Sequence, residues 1–394
     1  MKTLFWISFA VIAYTYVGYP AIVFLLARFS PRPWRKETYH TSVSVVMAVH
    51  NGVQRIHEQV EHLSLLDPEL IREVILVSDG SNDGTAEVLN SLQGPRLRTI
   101  VLPEQVGKAA ALNHGIAEAT GEILLFIDIR PKVAPGALAE LLSNFADPSV
   151  GCVAGELVLN TDGHDAAASA VSGVYWKYEQ WIRNCEAAWD SPVGVYGGFY
   201  AARRSLVRQF PEGIILDDMF QPLSIIRQGY RSVLDRAAIV MDTWPGKVLG
   251  EFQRKVRTLA GNYQLFSLAP WMLGPGNRVL FQLVSHKVMR LVVPYFFVLL
   301  LISATWLGID SPEWRAVAIA QWGLWLASAL ALRMTLPVIH RLASAASALL
   351  VLNFAAVAGL YKFCFTPGPL WKIWSPGGRA AGPAIPLETE RESA

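Results

Sequence analysis

Glu73-Val74-Ile75-Leu76-Val77-Ser78-Asp79-Gly80-Ser81-Asn82-Asp83-Gly84-Thr85 is the stretch that decides the fold of this chain. Val74 to Ser78 is almost wholly apolar and alternates poorly, the pattern of a strand buried on both faces of a parallel sheet. The run stops at Asp79 to Gly84, residues that all favour turns, and a helical pattern begins at Thr85. A carboxylate past the C-terminal end of such a strand faces the crevice where open α/β sheets bind ligands. Asp79 and Asp83 both stand there, among glycines that let a ligand approach the backbone.

Outward from this stretch, strands alternate with helices from Ser42 to about Gly155, the signature of a parallel α/β layer. Strands are expected at 43–49, 74–78, 97–101, 122–127 and 150–154, with helices at 53–66, 86–92, 107–119 and 137–145. From Ala166 to Leu268 the alternation weakens, and aromatic, glycine and charged residues mix. This second half reads as the acceptor side of the same domain.

The 394 residues are 52% hydrophobic but only 17% charged, below the roughly one quarter usual for globular domains. The apolar excess is uneven. Residues 4–27 form a near-continuous uncharged run, long enough to cross a bilayer core of about 30 Å. Its length and the absence of a small-residue cleavage site point to an anchor rather than a signal peptide. Arg28, Arg32, Arg35 and Lys36 follow it, against Lys2 alone before it, so the chain is expected to enter the cytoplasm there. Further apolar runs at 289–309, 316–336 and 344–361 are expected to span, with Trp306, Trp314, Trp371 and Trp374 at their edges as in an aromatic belt. Residues 263–287, broken by Gly274, Pro275 and Gly276, read as an interfacial segment. Four spans from an outside N-terminus place the C-terminus outside, whereas Lys362, Lys372 and Arg379 place it inside.

A net charge of +2 without a long basic run gives no indication of nucleic acid, and Cys152, Cys185 and Cys364 form neither a disulfide framework nor a zinc spacing.

Asp128, like Asp79, follows an apolar strand at the ligand-binding edge. Diphosphate leaving groups need a divalent cation, and Mg²⁺ or Mn²⁺ prefers carboxylate oxygens. Asp217-Asp218 sets two carboxylates side by side, which tends to raise one pKa into the range of a general base. Arg254-Lys255-Val256-Arg257 gathers cations that can bind a pyrophosphate, or anionic lipid, at the membrane.

In this order the motifs resemble the family-two glycosyltransferases, in particular the membrane-embedded polysaccharide synthases with a GT-A catalytic domain. The resemblance covers roughly Ser42 to Thr258. It implies an α/β GT-A domain, Rossmann-like with a mostly parallel sheet, plus transmembrane α-helices. Met47-Ala48-Val49-His50-Asn51-Gly52 resembles the opening strand and places Asn51 at the nucleotide. Asp79-Gly80-Ser81-Asn82-Asp83 matches the D-G-S-x-D element, implying that Asp79 contacts base and ribose with Asp83 nearby. Gly107-Lys108-Ala109-Ala110-Ala111-Leu112-Asn113 resembles the segment whose lysine approaches the nucleotide. Asp128-Ile129-Arg130 is a D-x-R form of the D-x-D element, with Asp128 for metal and Arg130 beside the donor. Gly197-Gly198-Phe199-Tyr200 resembles the acceptor-side glycine turn. Asp217-Asp218 stands for the E-D element with Asp218 as base, and Arg254 to Thr258 for Q-x-x-R-W, with Arg257 and Arg254 facing the leaving diphosphate.

The resemblance implies inverting sugar transfer from a nucleotide diphosphate sugar to a polyprenyl-linked or polysaccharide acceptor. The enzyme is expected to be a multi-pass inner-membrane protein with its catalytic domain in the cytosol. The expected division is a membrane helix at 1–28, the catalytic domain at 40–262, the interfacial segment at 263–287, about three spans at 288–364 and a tail at 365–394. Rival readings are a catalytically degenerate transferase-like scaffold and a transporter, the latter with only Arg333 and Asn353 as polar span residues.

Overall fold

The computed structural model describes residues 1–67, 69–92, 94–160, 166–243, 248–331 and 337–373. Among these, one eight-stranded sheet runs in the order β3-β2-β1-β4-β7-β6-β8-β5. The strands are β1 Val43–Val49, β2 Ile71–Asp79, β3 Leu97–Leu102, β4 Ile123–Ile127, β5 Lys132–Val133, β6 Val150–Asn160, β7 Phe199–Arg203 and β8 Arg231–Thr243. β1 pairs in parallel with both β2 and β4, and β2 in parallel with β3. β7 enters antiparallel between β4 and β6, while β6 and β8 are again parallel. The mostly parallel sheet expected from the sequence is therefore present.

Its central strands are apolar on both sides because both sides are covered. Val46, Ile75, Val77 and Phe126 join one apolar layer, with Leu112 of α5 (Lys108–Glu118). Val45, Met47, Leu76 and Leu125 join the opposite one, with Ile56 and Leu63 of α3 (Val53–Leu65) and Leu141 of α6 (Ala137–Ser143). Each such buried side chain contributes about 1.5–3 kcal/mol. β2 starts three residues before the apolar run because Glu73 is buried in it. Ser44 Oγ donates to the Glu73 carboxylate at 2.7 Å, Thr120 N at 2.8 Å and Thr120 Oγ1 at 2.7 Å. A buried carboxylate with this many donors is tolerated, and burial alone would have excluded it.

The helix α4 (Thr85–Ser91) follows the turn at Asp79–Gly84. Beyond β6, α7 (Ala166–Trp189), α8 (Asp217–Arg227) and α9 (Val248–Leu268) link the sheet to the apolar helices. These are α1 (Lys2–Ala13) and α2 (Tyr19–Phe29), α10 (Leu280–Leu283) and α11 (Met289–Leu307), α12 (Pro312–Ala331) and α13 (Pro337–Phe365). A π-helical turn joins α1 to α2 at Tyr14–Gly18 and another joins α10 to α11 at Val284–Val288. Among the described residues, three helices are long and apolar enough to cross a membrane, Lys2–Phe29, Leu280–Leu307 and Ser347–Phe365. The run expected at 316–336 is covered only as far as α12 reaches, since residues 332–336 lie outside the described residues. The second span opens at Leu280 rather than near Met289, which brings His286 and Lys287 inside it beside Arg290.

Residues 263–287 supply Leu265, Ala269, Met272, Val279 and Leu283 to the core. Trp371, expected in an aromatic belt, packs elsewhere. The turn Leu370–Ile373 folds back after α13, and the Trp371 indole lies 3.1 Å from where a Cβ on Gly107 would stand. Arg333, Trp374, Arg379 and most of the expected tail lie outside the described residues.

Candidate active site

The loops at the C-terminal ends of β1, β2 and β3 are fastened to one another before any ligand arrives. Asn51, at φ +53°, accepts at its Oδ1 from Asn82 N at 2.9 Å, and its own N–H donates to Ser81 Oγ at 3.1 Å. Asp83 accepts from Val53 N at 3.1 Å on Oδ2 and from Thr85 N at 3.0 Å on Oδ1, so both oxygens lock the turn. Gly80 has φ +56°, and a Cβ there would stand 2.3 Å from the backbone of Glu104 and Gln105. Only glycine lets those two loops cross so closely.

Asp79 reaches across that crossing. Its Oδ1 accepts from Val106 N at 2.7 Å and its Oδ2 from Gly107 N at 3.0 Å. The carboxylate thus clamps the loop that launches α5, and with it Lys108, a role that sequence reasoning did not foresee. Lys108 Nζ lies 3.0 Å from Asp128 Oδ1 and 3.0 Å from Asp217 Oδ2. Burial opposes the charge on Lys108, but Asp128 and Asp217 outweigh it and hold the ammonium protonated.

Asp217 and Asp218 occupy the first turn of α8, where the helix dipole favours a carboxylate. Burial, then the neighbouring Asp217, pushes the Asp218 carboxyl up to about 6. Asp218 Oδ1 is buried without a hydrogen-bond partner. A Cβ on Gly197 would stand 2.9 Å from Asp218 Cβ, so the glycine turn leaves the space that this side chain fills. Gly198 is equally restricted, by the Tyr196 hydroxyl 2.5 Å from its missing Cβ. Phe199 is fully buried in the sheet core and supports the turn from behind.

α9 brings Arg257 to the same carboxylates. Gln264 of that helix accepts from Ile215 N at 3.0 Å and donates to Gly213 O at 2.9 Å. Gly261 lets α9 close onto Ile215 and Leu216, which lead directly into Asp217. Arg257 is half-buried, with its Nε buried and unpartnered, and desolvation lowers its pKa against the pull of Asp217, Asp128 and Asp218. Arg254, one turn away, is gripped by Glu251, at 2.9 Å through Nε and 2.7 Å through Nη2.

Arg130 donates to Asp242 Oδ2 at 3.2 Å, and the Tyr196 hydroxyl donates to the same oxygen at 2.6 Å. Asp242 was missed in the sequence, although it ends the apolar stretch of β8 as Asp79 and Asp128 end theirs.

The structure therefore gathers Lys108, Asp128, Asp217, Asp218 and Arg257 into one cluster, with Gly197 against it and Asp79 clamping the loop behind it. Asn51 and Asp83 brace its rim, while Arg130 and Arg254 are engaged by carboxylates. Among the described residues no group of three or more His, Cys, Asp or Glu could hold a metal ion. Asp128 remains a hard oxygen ligand with part of its side chain exposed. This donor set fits Mg²⁺ or Mn²⁺ when diphosphate and water complete the shell, the usual mode for such ions.

Residues 44–210 match the family described as Glycosyl transferase family 2. An N-acetylglucosaminyltransferase of Rhizobium meliloti is 24% identical over 56% of this chain and 55% of its own length. A poly-beta-1,6-N-acetyl-D-glucosamine synthase of Staphylococcus aureus is 31% identical over 29% of this chain and 28% of its own. The matched region thus spans about half of the first relative and about a quarter of the second. A mannosyltransferase from Pyrobaculum calidifontis, solved with GDP-Man and Mn²⁺, superposes with a TM-score of 0.71 at 20% identity, over 92% of this chain and 99% of that one.

Proposed function

From the premise that this chain carries a Glycosyl transferase family 2 domain on a GT-A fold and is a glycosyltransferase, we propose that it is a membrane-bound inverting enzyme. It moves a sugar from a nucleotide diphosphate sugar to a polyprenyl-linked or polysaccharide acceptor. The observation that carries this reading is Asp218. It is a carboxylate raised to about 6, set against the Gly197 turn and beside the cluster of Lys108, Asp128, Asp217 and Arg257.

The ionised Asp218 takes the proton of the acceptor hydroxyl. The hydroxyl oxygen bonds to the anomeric carbon from the face opposite the diphosphate, and the departing carbon–oxygen electron pair stays on the diphosphate. Lys108 and Arg257 place positive charge where that negative charge develops, which is commonly the largest catalytic contribution. Asp128 would hold Mg²⁺ or Mn²⁺, which supplies further charge neutralisation to the diphosphate. Asp79 positions the Gly107-Lys108 loop against the nucleotide. Asp242 and Tyr196 fix Arg130, so Arg130 shapes the donor side without offering a free charge.

The N-terminal helix, the helix from Leu280 and the helix from Ser347 cross the membrane three times in this reading. With Arg28 to Lys36 on the cytosolic side, the catalytic domain and the charges Lys362 and Lys372 are cytosolic as well. The donor is then drawn from the cytosol and the acceptor is met at the membrane face. Membranes holding the protein, incubated with a panel of labelled nucleotide sugars, should transfer label from one class of donor into membrane-bound product. No transfer from any donor would overturn the reading.

A further inference from the structure

α3 is bonded to two of the loops at the ligand-binding edge of the sheet. At its N-terminal end Gly52 N donates to Thr85 Oγ1 at 2.9 Å and Val53 N to Asp83 Oδ2 at 3.1 Å. The helix thus starts fastened to the loop after β2. Further along, Gln59 is fully buried, and its amide nitrogen donates to Asp128 O at 3.2 Å and to Pro131 O at 3.0 Å. His62, three residues on and so on the same helix face, accepts at Nε2 from Val133 N at 2.9 Å. A backbone N–H can only donate, so His62 Nε2 carries no proton. Burial, then the nearby Lys132, lowers the His62 pKa against the pull of Glu58 and favours the neutral ring this bond requires.

These bonds hold residues 128–133, the turn that carries both Asp128 and Arg130. Asp128 N completes the grip by donating to Gly198 O at 3.3 Å, so its peptide groups are held on both sides. The Asp128 side chain, by contrast, is part-exposed and faces Lys108. Packing alone does not call for glutamine at residue 59. It stands between Ile56 and Leu63 on the helix face, where leucine or methionine would extend the apolar layer that those two join. Gln59 instead leaves its own Oε1 buried without a hydrogen-bond partner, an unfavourable arrangement. What it supplies is a pair of donors to two carbonyls of the Asp128 turn.

We propose that Gln59, backed by His62, is a positioning residue for the divalent cation of the reaction, aiming the Asp128 carboxylate at a diphosphate-bound Mg²⁺ or Mn²⁺. This rests on the transferase reading above and on Asp128 as the metal ligand. Groups that hold a metal ligand from behind typically change metal affinity by about 10–100-fold when removed. The Asp79 clamp grips Val106 and Gly107 instead, so nucleotide affinity without metal is set elsewhere.

The test is calorimetric titration of the full-length protein in lipid nanodiscs with UDP, GDP, CDP and dTDP, each with Mn²⁺ and with EDTA. For the nucleotide that wild type binds best, Gln59→Met should cut the affinity gained from Mn²⁺ by at least about tenfold, while affinity in EDTA stays within about twofold. His62→Leu should act in the same direction, and His62→Gln, which can still accept from Val133 N, should restore the gain. His62 is less buried than Gln59, so it carries the test if a lowered unfolding temperature shows Gln59→Met to be misfolded. A full Mn²⁺ gain in the folded variant overturns the proposal. So does a loss that is equal in Mn²⁺ and EDTA, the mark of a purely structural role. Wild-type affinity that ignores Mn²⁺ overturns it as well. A wild type that binds none of the nucleotides would sink the transferase reading and the proposal with it, whereas the other outcomes leave that reading standing.

Discussion

The backbone carbonyl of Asp218 accepts a hydrogen bond from the N–H of Val195 at 3.0 Å. Within a regular helix that carbonyl would accept from the residue four positions on. Here that residue is Pro222, which has no N–H to give. The proline therefore frees an acceptor in the first turn of α8, and the segment leading into Tyr196-Gly197-Gly198 takes it. One missing donor thus ties the candidate base to the candidate acceptor turn.

Asp218→Asn should lower transfer by about 10²–10⁴-fold, the usual contribution of a general base, while nucleotide binding persists. Single-turnover transfer and a nucleoside diphosphate titration on the same preparation separate the two. Activity retained in Asp218→Asn but lost in Asp217→Asn would move the base to Asp217.

The pH dependence has a definite sign. Asp218 must be ionised to accept a proton, so the transfer rate should rise through about pH 6 and level off above it. Because its folded pKa lies above the ordinary 3.8, folding takes up a proton, and stability falls as pH rises between those values. Asp218→Asn should accordingly raise the unfolding temperature above pH 6 while abolishing activity. A lower unfolding temperature there would contradict the burial of an uncompensated carboxylate.

Gly197→Ala pushes a methyl group to 2.9 Å from Asp218 Cβ. Overpacking of this kind costs about 1–3 kcal/mol, here relieved by displacing the Asp218 side chain. The expected outcome is a fall in kcat with donor KM nearly unchanged. A variant with wild-type kcat would show that the turn has room to spare.

Metal and nucleotide should separate at Asp128 and Asp79. Asp128→Ala should remove the part of nucleoside diphosphate affinity that Mn²⁺ adds and EDTA abolishes. Asp79→Ala should weaken binding with or without metal, because it frees Val106 and Gly107 from their clamp. Calorimetric titrations under both conditions check this. Affinity in the wild type that ignores EDTA would place the diphosphate on Lys108 and Arg257 alone.

For the membrane arrangement, Asp310→Cys should react with an impermeant thiol reagent in intact cells, and Ser30→Cys only after permeabilisation. Asp310 lies in the exposed turn between α11 and α12. The reverse labelling pattern would place the catalytic domain outside.

The amino-acid sequence alone determined the sheet and the edge at which its chemistry gathers. Continuous apolar runs at Val43–Val49, Val74–Ser78 and Ile123–Ile127 suit only strands covered on both faces, and the residues after each run must then meet at one edge. Asp79 and Asp128 were legible for that reason, and the Asp217-Asp218 pair because two adjacent carboxylates stand out in the sequence. What tertiary structure alone decided is how these charges are paired. Asp79 spends its oxygens on the Gly107 loop, Asp83 on its own turn, Arg254 on Glu251 and Arg130 on Asp242. The partners lie 2 to 112 residues away and are set by packing. The cation cluster around Glu179 was illegible for the same reason. Its members are scattered from Glu179 to Arg290 and meet only once α7 packs against the π-helical turn. Hydrophobic pattern is local and periodic, so sequence reveals it. Charge compensation depends on distance and desolvation, which only the folded chain sets.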